Sequence, residues 1–277
     1  MKRIVNQIFF PTSLQELFNT LDRFSSANIF AGGAYQIRRQ HNRALLLPEI
    51  IINAGHIAEL HVIARTERYI DIGSMVTLNQ IFRLGKILPD AIRQTLAFLY
   101  SGILRNAALI GDIICQTRGY EPLAAALIAL GVRCELRLNT QSRWISINSL
   151  TGTDKMSVFY PHEILYRIRI PLEQWDFTLC RYFDAVASGK GESGVIVFLA
   201  RIQNNILSDV RVVFSGSVIL RNRNCETSLI GQKLPLSKKN AADFTNLWKS
   251  YLLENSPDFL RDRILLFIES AILQFAD

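Results

Sequence analysis

Apolar residues recur along this chain at two periods, and the switches between them mark out its elements. From Ser13 onward, Leu14, Leu17, Phe18, Leu21 and Phe24 fall on one side of a helix, and Ser13 with Glu16 makes a capping box at its start. A short apolar strand, Asn28–Ala31, runs into Gly32-Gly33, and strands follow around Ala44–Leu47 and Ile50–Ile52. Tyr69–Gly73 predicts a further strand, with Thr77 placed to cap a helix over Leu78–Leu84. Pro89 suits a first turn and opens a helix through Leu99. After an irregular, glycine-containing stretch, Glu121–Leu130 predicts a buried helix rich in small residues, ended by Gly131.

The remainder has a different texture. Glu163–Ile170 predicts a strand ended by Pro171, and Pro171–Asp176 a connector. Three long strands are then expected, over Phe177–Ala185, Val195–Gln203 and Val210–Leu220. Two helices close the chain, Ala241–Leu253 and Asp258–Phe275, the second with Leu260, Ile264, Phe267, Ile268, Ala271 and Ile272 on its apolar side. Strands followed by helices predict an α+β layer architecture. A boundary near residue 172 divides the chain into 1–172 and 173–277, and no internal repeat is present.

Composition narrows the function classes. With 49% hydrophobic and 20% charged residues over 277 positions, the chain can bury a substantial core, which excludes a disordered or fibrous protein. No apolar run approaches the roughly 20 residues of a spanning helix, and the start, MKRIVNQIFFPTSL, is too short and polar for a signal peptide. Cys115, Cys134, Cys180 and Cys225 lie far apart, with no C-x-x-C and no His/Cys cluster. Neither a disulfide framework nor a zinc or iron–sulfur site is therefore predicted, and a reduced, cytoplasmic protein is expected. The charge of +7 is carried mostly by arginines spread along the whole chain. That distribution reads as a solvated, mildly basic surface, with an anionic ligand or an acidic partner as the alternative, and not as the basic stripe of a nucleic-acid binder.

Three stretches stand out. Ala31-Gly32-Gly33-Ala34-Tyr35 puts a glycine pair directly after a strand, where the backbone can turn freely and bring N–H groups to an anion. The pattern G-x-G-x-x-G is absent, so the dinucleotide fingerprint fails. Ile72-Gly73-Ser74-Met75-Val76-Thr77 carries a strand into a capped helix. Ser101 through Asp112 sets Arg105-Asn106 and Gly111 in an otherwise apolar segment.

In this order and spacing the three resemble the FAD-binding medium subunit of the molybdenum hydroxylase family, which includes the xanthine dehydrogenase and carbon monoxide dehydrogenase flavoproteins. That family carries A-G-G, then I-G-A-x-x-T, then S-x-x-I-R-N-x-A-T-I-G-G. Further likenesses are Pro11-Thr12-Ser13-Leu14, Leu123–Leu130, and Glu163-Ile164 with Ile170-Pro171, so the resemblance covers nearly the whole chain. Phe98-Leu99-Tyr100-Ser101 with Leu104-Arg105-Asn106 places it nearest the xanthine dehydrogenase-like group.

The resemblance implies an α+β fold. A two-subdomain FAD-binding domain of the vanillyl-alcohol oxidase (PCMH) type, 1–172, would be followed by a smaller C-terminal domain, 173–277, of antiparallel sheet plus helices. It implies noncovalent FAD whose diphosphate meets backbone N–H donors of two glycine loops, formed by Ala31, Gly32, Gly33, Ala34 and Tyr35, and by Ser101, Arg105, Asn106, Leu109, Ile110, Gly111 and Asp112. It further implies an oxidoreductase subunit that is inactive alone. Electrons would arrive from a molybdopterin-binding large subunit through a 2Fe-2S subunit and leave to NAD or another acceptor. No catalytic side chain and no metal ligand are expected on this chain.

Several positions depart from the family pattern. Asp112 stands where the family has glycine, Ala34-Tyr35 follow the first glycine pair, Arg118-Gly119-Tyr120-Glu121-Pro122 replaces a Pro-x-x-Asp motif, and Asp184 falls near a family lysine. They keep open a second reading, a relative that retains the fold and the partner surfaces as an assembly subunit but holds FAD weakly or not at all.

Overall fold

The structure is a computed structural model, and it describes residues 7–30, 47–115, 122–150, 158–183 and 193–276. Up to residue 115 the elements are β1 (Gln7–Phe9), α1 (Leu14–Arg23), β2 (Asn28–Phe30), β3 (Ile50–Asn53), β4 (Ile63–Arg65), β5 (Tyr69–Gly73), α2 (Leu78–Phe82), α3 (Asp90–Leu99), α4 (Gly102–Ala107) and α5 (Ile110–Ile114). Then come α6 (Ala124–Ala129), β6 (Arg133–Leu138), β7 (Gln141–Ser146), β8 (Ile164–Pro171), β9 (Phe177–Phe183), β10 (Gly194–Gln203), β11 (Ile206–Ser215), β12 (Ile219–Leu220), α7 (Arg223–Leu229), α8 (Lys238–Asn255) and α9 (Asp258–Ile272). They gather into two units, one of residues 1–85, 100–118 and 131–172, the other of 86–99, 119–130 and 173–277. The chain thus crosses between units at five points, where the sequence reading places one boundary, at 172.

The first unit holds two sheets. A parallel sheet has the order β1-β3-β2, and α1 provides the crossover from β1 to β2. Ser13 caps α1 as expected, accepting the Glu16 N–H at 3.3 Å, but the Glu16 carboxylate takes the Thr12 N–H at 2.8 Å instead of closing the capping box on Ser13. Leu17, Phe18 and Leu21 turn inward onto Ile52, Ile57, Leu60, Met75, Leu109 and Ile164. The second sheet is antiparallel, in the order β4-β5-β8-β6-β7. Its β6–β7 hairpin, turned at Asn139 with φ 50°, falls in the stretch from 131 to 162 to which the sequence reading assigned no element. Arg133, Glu135 and Arg137 alternate there with Cys134, Leu136 and Leu138, a period of two that the sequence reading passed over.

The second unit is built on the antiparallel sheet β12-β11-β10-β9. Strand β10 is a continuous apolar run, with Val195 to Ala200 all at 0% exposure, because both of its faces are covered. One face packs against α8 and α9 through Phe244, Trp248, Leu252, Leu260, Ile264, Phe267 and Ile268. Burying each such large side chain contributes about 1.5–3 kcal/mol. Helices α3 and α6, which come earlier in the chain, also pack on this sheet. Gly131 at φ 70° ends α6 as expected, and two guanidiniums reach its last carbonyls: Arg211 Nη1 donates to Ala129 O at 2.8 Å and Arg221 Nη1 to Ile128 O at 3.5 Å. The strand expected over Val210–Leu220 divides into β11 and β12, with a turn between them in which Gly216 N–H donates to Val218 O at 3.1 Å.

Candidate functional site

The stretch from Ser101 to Asp112, expected to be irregular, folds as the two short helices α4 and α5. Ser101 starts the first, its Oγ accepting the Leu104 N–H at 3.4 Å. Ala108 and Leu109 between the helices are extended and lie against the segment that follows β5. Leu78 N–H donates to Ala108 O at 2.9 Å, Ile110 N–H to Val76 O at 3.0 Å and Gly111 N–H to Ser74 O at 2.9 Å. Thr77 and Leu109 complete an antiparallel bridge. The second and third sequence stretches are therefore one piece of structure.

Two glycines make that piece possible. A Cβ on Gly73 would stand 2.1 Å from Leu60 O, and one on Gly111 would stand 2.6 Å from Ser74 O. The Gly111 N–H, expected among the donors to an anion, is spent on Ser74. Ser74 is held from its other side as well, its own N–H donating to Tyr166 O at 3.1 Å, while Met75 N–H donates to Leu60 O at 2.9 Å. The result is a loop with little freedom to relax.

Side chains fasten α4 to α2, which begins with a complete Thr77–Gln80 capping box. Asn79 Nδ2 donates to Asn106 Oδ1 at 2.7 Å. The Arg105 guanidinium lies 4.2 Å from the Phe82 ring centre, and its Nη1 donates to Tyr100 O at 2.8 Å. Asn79 and Phe82 are residues that the sequence reading did not single out, and Ser74 and Tyr100 stood there only inside motifs, with no site role. The only signal was the position of Asn79 and Phe82 on the short helix that Thr77 caps.

The expected site residues divide accordingly. Ala31, Gly32, Gly33, Ala34 and Tyr35 lie outside the described residues, as do Arg118, Glu121 and Asp184. Ser101, Arg105 and Asn106 sit together on α4 and its cap. Leu109 and Ile110 point inward, and the Ile110 N–H is taken by Val76 O. Asp112 occupies the first turn of α5, half-buried, with Oδ2 out of contact with solvent.

Whether these residues suit an anionic cofactor can be tested on the donors they present. The Ser101 hydroxyl, the amide NH2 of Asn106 (whose Oδ1 is committed to Asn79) and the Arg105 guanidinium are all donors, and α4 is exposed along most of its length. That set fits a phosphate-bearing group. Asp112 is the one opposing charge in the loop.

Among the described residues no group of three His, Cys, Asp or Glu is placed to hold a metal. None of the four cysteines forms a disulfide, and burial pushes the Cys134 thiol up strongly, Cys180 up to about 12 and Cys225 up to about 11. Three of the four thiols are thus poor nucleophiles at neutral pH.

The model of one protein family, the FAD-binding domain in molybdopterin dehydrogenase, matches residues 4–173. The chain is 24% identical over 238 residues to xanthine dehydrogenase of Oryza sativa subsp. japonica, covering 79% of this chain and 16% of that protein. It is 24% identical over 282 residues to xanthine dehydrogenase 2 of Arabidopsis thaliana, covering 92% and 19%. The chain thus spans less than a fifth of the length of these curated relatives. Among solved structures, quinoline 2-oxidoreductase from Pseudomonas putida 86 superposes with a TM-score of 0.79 at 18% identity, covering 99% of this chain and 98% of that one. Carbon monoxide dehydrogenase from Hydrogenophaga pseudoflava, lacking the Mo-pyranopterin moiety, gives 0.76 at 18% identity, covering 98% and 95%. These likenesses establish the fold over the whole chain.

Proposed function

This chain belongs to the family of FAD-binding domains of molybdopterin dehydrogenases, and on that premise we propose that it is the flavin-carrying subunit of a heteromeric molybdenum hydroxylase. It takes electrons from the 2Fe-2S cluster of a partner, fed in turn by a molybdopterin-binding large subunit, and passes them to NAD or another acceptor. The division into a flavin domain, 1–172, and a C-terminal domain, 173–277, belongs to the same proposal. When bound, FAD supplies the redox chemistry, accepting electrons singly and releasing them in pairs.

The observation that carries this reading is the rigid seat of the Ser101–Asp112 segment on residues 74–78. Asn79 fixes the Asn106 amide, and Phe82 and Tyr100 fix Arg105, so the donors of α4 are oriented before any ligand arrives. Gly32 and Gly33 of the first loop are proposed to supply the backbone N–H groups nearest the diphosphate. With no histidine in either loop, attachment is noncovalent.

Titration of the purified chain with FAD tests the reading. The expected result is a yellow complex, with Gly33→Val abolishing binding while melting of the flavin-free chain is little changed. Unchanged affinity in Gly33→Val would assign that glycine to a turn alone. The isolated chain is expected to reduce no NAD with purines or aldehydes, and such turnover would sink the subunit assignment.

A second reading, an assembly subunit with little or no flavin, is favoured by one position. Asp112 puts a carboxylate where the family has glycine, and like charges about 4 Å apart near a protein surface repel by roughly 4 kcal/mol before screening. Asp112→Gly is expected to tighten FAD at least about tenfold, which is roughly 1.4 kcal/mol, with most of the gain at low salt. No binding by either protein would favour the assembly role.

A further inference from the structure

One face of the five-stranded sheet is occupied by arginines. Strand register sets Asp71 beside Arg169, Arg169 beside Arg133, and Glu135 between Arg167 and Trp144. Arg169 grips Asp71 with two bonds, Nε to Oδ1 at 2.7 Å and Nη2 to Oδ2 at 2.8 Å, and Arg167 Nη1 reaches the same carboxylate at 3.2 Å. Glu135 accepts from Arg167 Nε and, at 3.3 Å, from Arg137 Nη2. The two carboxylates are almost enclosed, with 8% and 3% of their side chains exposed. The arginines above them keep 26–32%.

The guanidiniums stand over aromatic rings. Arg169 stands 3.8 Å from the centre of Tyr69 and 4.3 Å from that of Trp144, Arg137 stands 3.7 Å from Tyr166, and Arg167 stands 5.5 Å from both Trp144 and Tyr166. Held between a ring and a buried carboxylate, each has its plane set in advance, so little side-chain freedom remains to be lost on binding.

The charge is not balanced. Three arginines share two carboxylates, and a fourth, Arg133, exposed and without an ion pair among the described residues, stands directly across from Arg169 on the neighbouring strand. Like charges so placed destabilise a sheet. A local arrangement that weakens the fold with no internal gain is the mark of a surface shaped for something else.

The form of the face selects its occupant. Nucleic-acid binders leave rings open for bases to stack on, and here the rings of Tyr69, Trp144 and Tyr166 already carry guanidiniums. A row of arginines across several strands of a sheet is broad, whereas one small anion needs a few convergent donors in a cleft. Arginine is enriched in protein interfaces, and its remaining in-plane N–H groups match carboxylates. We propose that this sheet face docks an acidic surface of a partner protein. The proposal does not depend on flavin binding.

Arg133→Glu separates this role from a structural one. It replaces a repulsion with a pairing to Arg169, so the chain should melt no lower than wild type, and higher at low salt. Binding of a fluorescent synthetic peptide of alternating Glu and Ala to the full chain should nevertheless weaken at least tenfold. Lys238→Glu changes the net charge equally on the exposed start of α8 and should leave peptide affinity within twofold. Equal losses in the two variants would mean that the peptide senses net charge alone, and would overturn the proposal. So would the absence of peptide binding by wild type, or a preference of this face for phosphatidylserine vesicles over the peptide.

Discussion

The amide of Gly111 donates to the carbonyl of Ser74 at 2.9 Å, and a Cβ on Gly111 would stand 2.6 Å from that same oxygen. One contact therefore forms the bond between the two motifs and forbids a side chain. Gly111→Ala must push the start of α5 away from Ser74, an overpacking cost of about 1–3 kcal/mol. At about 2–4 °C per kcal/mol for a chain of this size class, the flavin-free protein should melt several degrees lower. Gly102→Ala, whose Cβ meets open space, should be neutral or up to about 1 kcal/mol stabilising. Equal melting temperatures would refute the packing argument.

The Asn79–Asn106 hydrogen bond is exposed and joins two short helices, so its contribution to global stability is small. Its effect should appear in ligand affinity. Asn79→Ala is expected to weaken FAD about two- to tenfold, the range of a hydrogen bond worth roughly 0.5–1.5 kcal/mol. In a double-mutant cycle, Asn106→Ala should cost less when Asn79 is already alanine. Additive losses would show that the two amides act independently.

Acid should act on Glu163. Burial pushes its carboxyl up, but the hydrogen bonds from Arg143 and from the Tyr160 N–H, with the Arg143 charge, outweigh this and hold it below its ordinary value. A carboxylate whose pKa is lowered by folding stabilises the protein above its unfolded-state value, about 4.3, and that stability is lost as pH falls through the folded value. Glu163→Gln should therefore be less stable than wild type at neutral pH, with the gap closing below about pH 4. Urea unfolding across that range measures it, and a constant gap would count against the linkage.

Thiol chemistry should separate the cysteines by burial. Cys115 is half-buried, whereas Cys134, Cys180 and Cys225 are enclosed, with thiols raised well above neutrality by loss of water. Iodoacetamide at about pH 8, near the ordinary thiol value of about 8.5, should label Cys115 first. The other three should react only as fast as the chain opens. Mass spectrometry of early time points decides this, and early labelling of Cys180 would show that α3 opens readily from β9.

What the sequence determined by itself was local. Ser13 and Thr77 cap their helices because a side-chain oxygen three residues from an amide needs no distant partner. Tyr69–Gly73 is a strand at the residues expected, and Gly131 stops α6 with its positive φ. The order of the glycine motifs along the chain also led to the family that the comparisons establish. Tertiary structure decided what those motifs touch. Gly111 lies against Ser74, and Asn106 against Asn79, because Ala108 and Leu109 pair with residues 76–78, and no periodicity encodes that register. The charged hairpin shows the same limit. No element was expected over Arg133, Glu135 and Arg137, although they alternate with apolar residues, and nothing local names their partners, Arg167 and Arg169, which arrive from 32 and more residues away to neutralise buried carboxylates. Helices α3 and α6 likewise pack on the sheet that follows them, because that sheet offers an apolar face that its own helices leave uncovered.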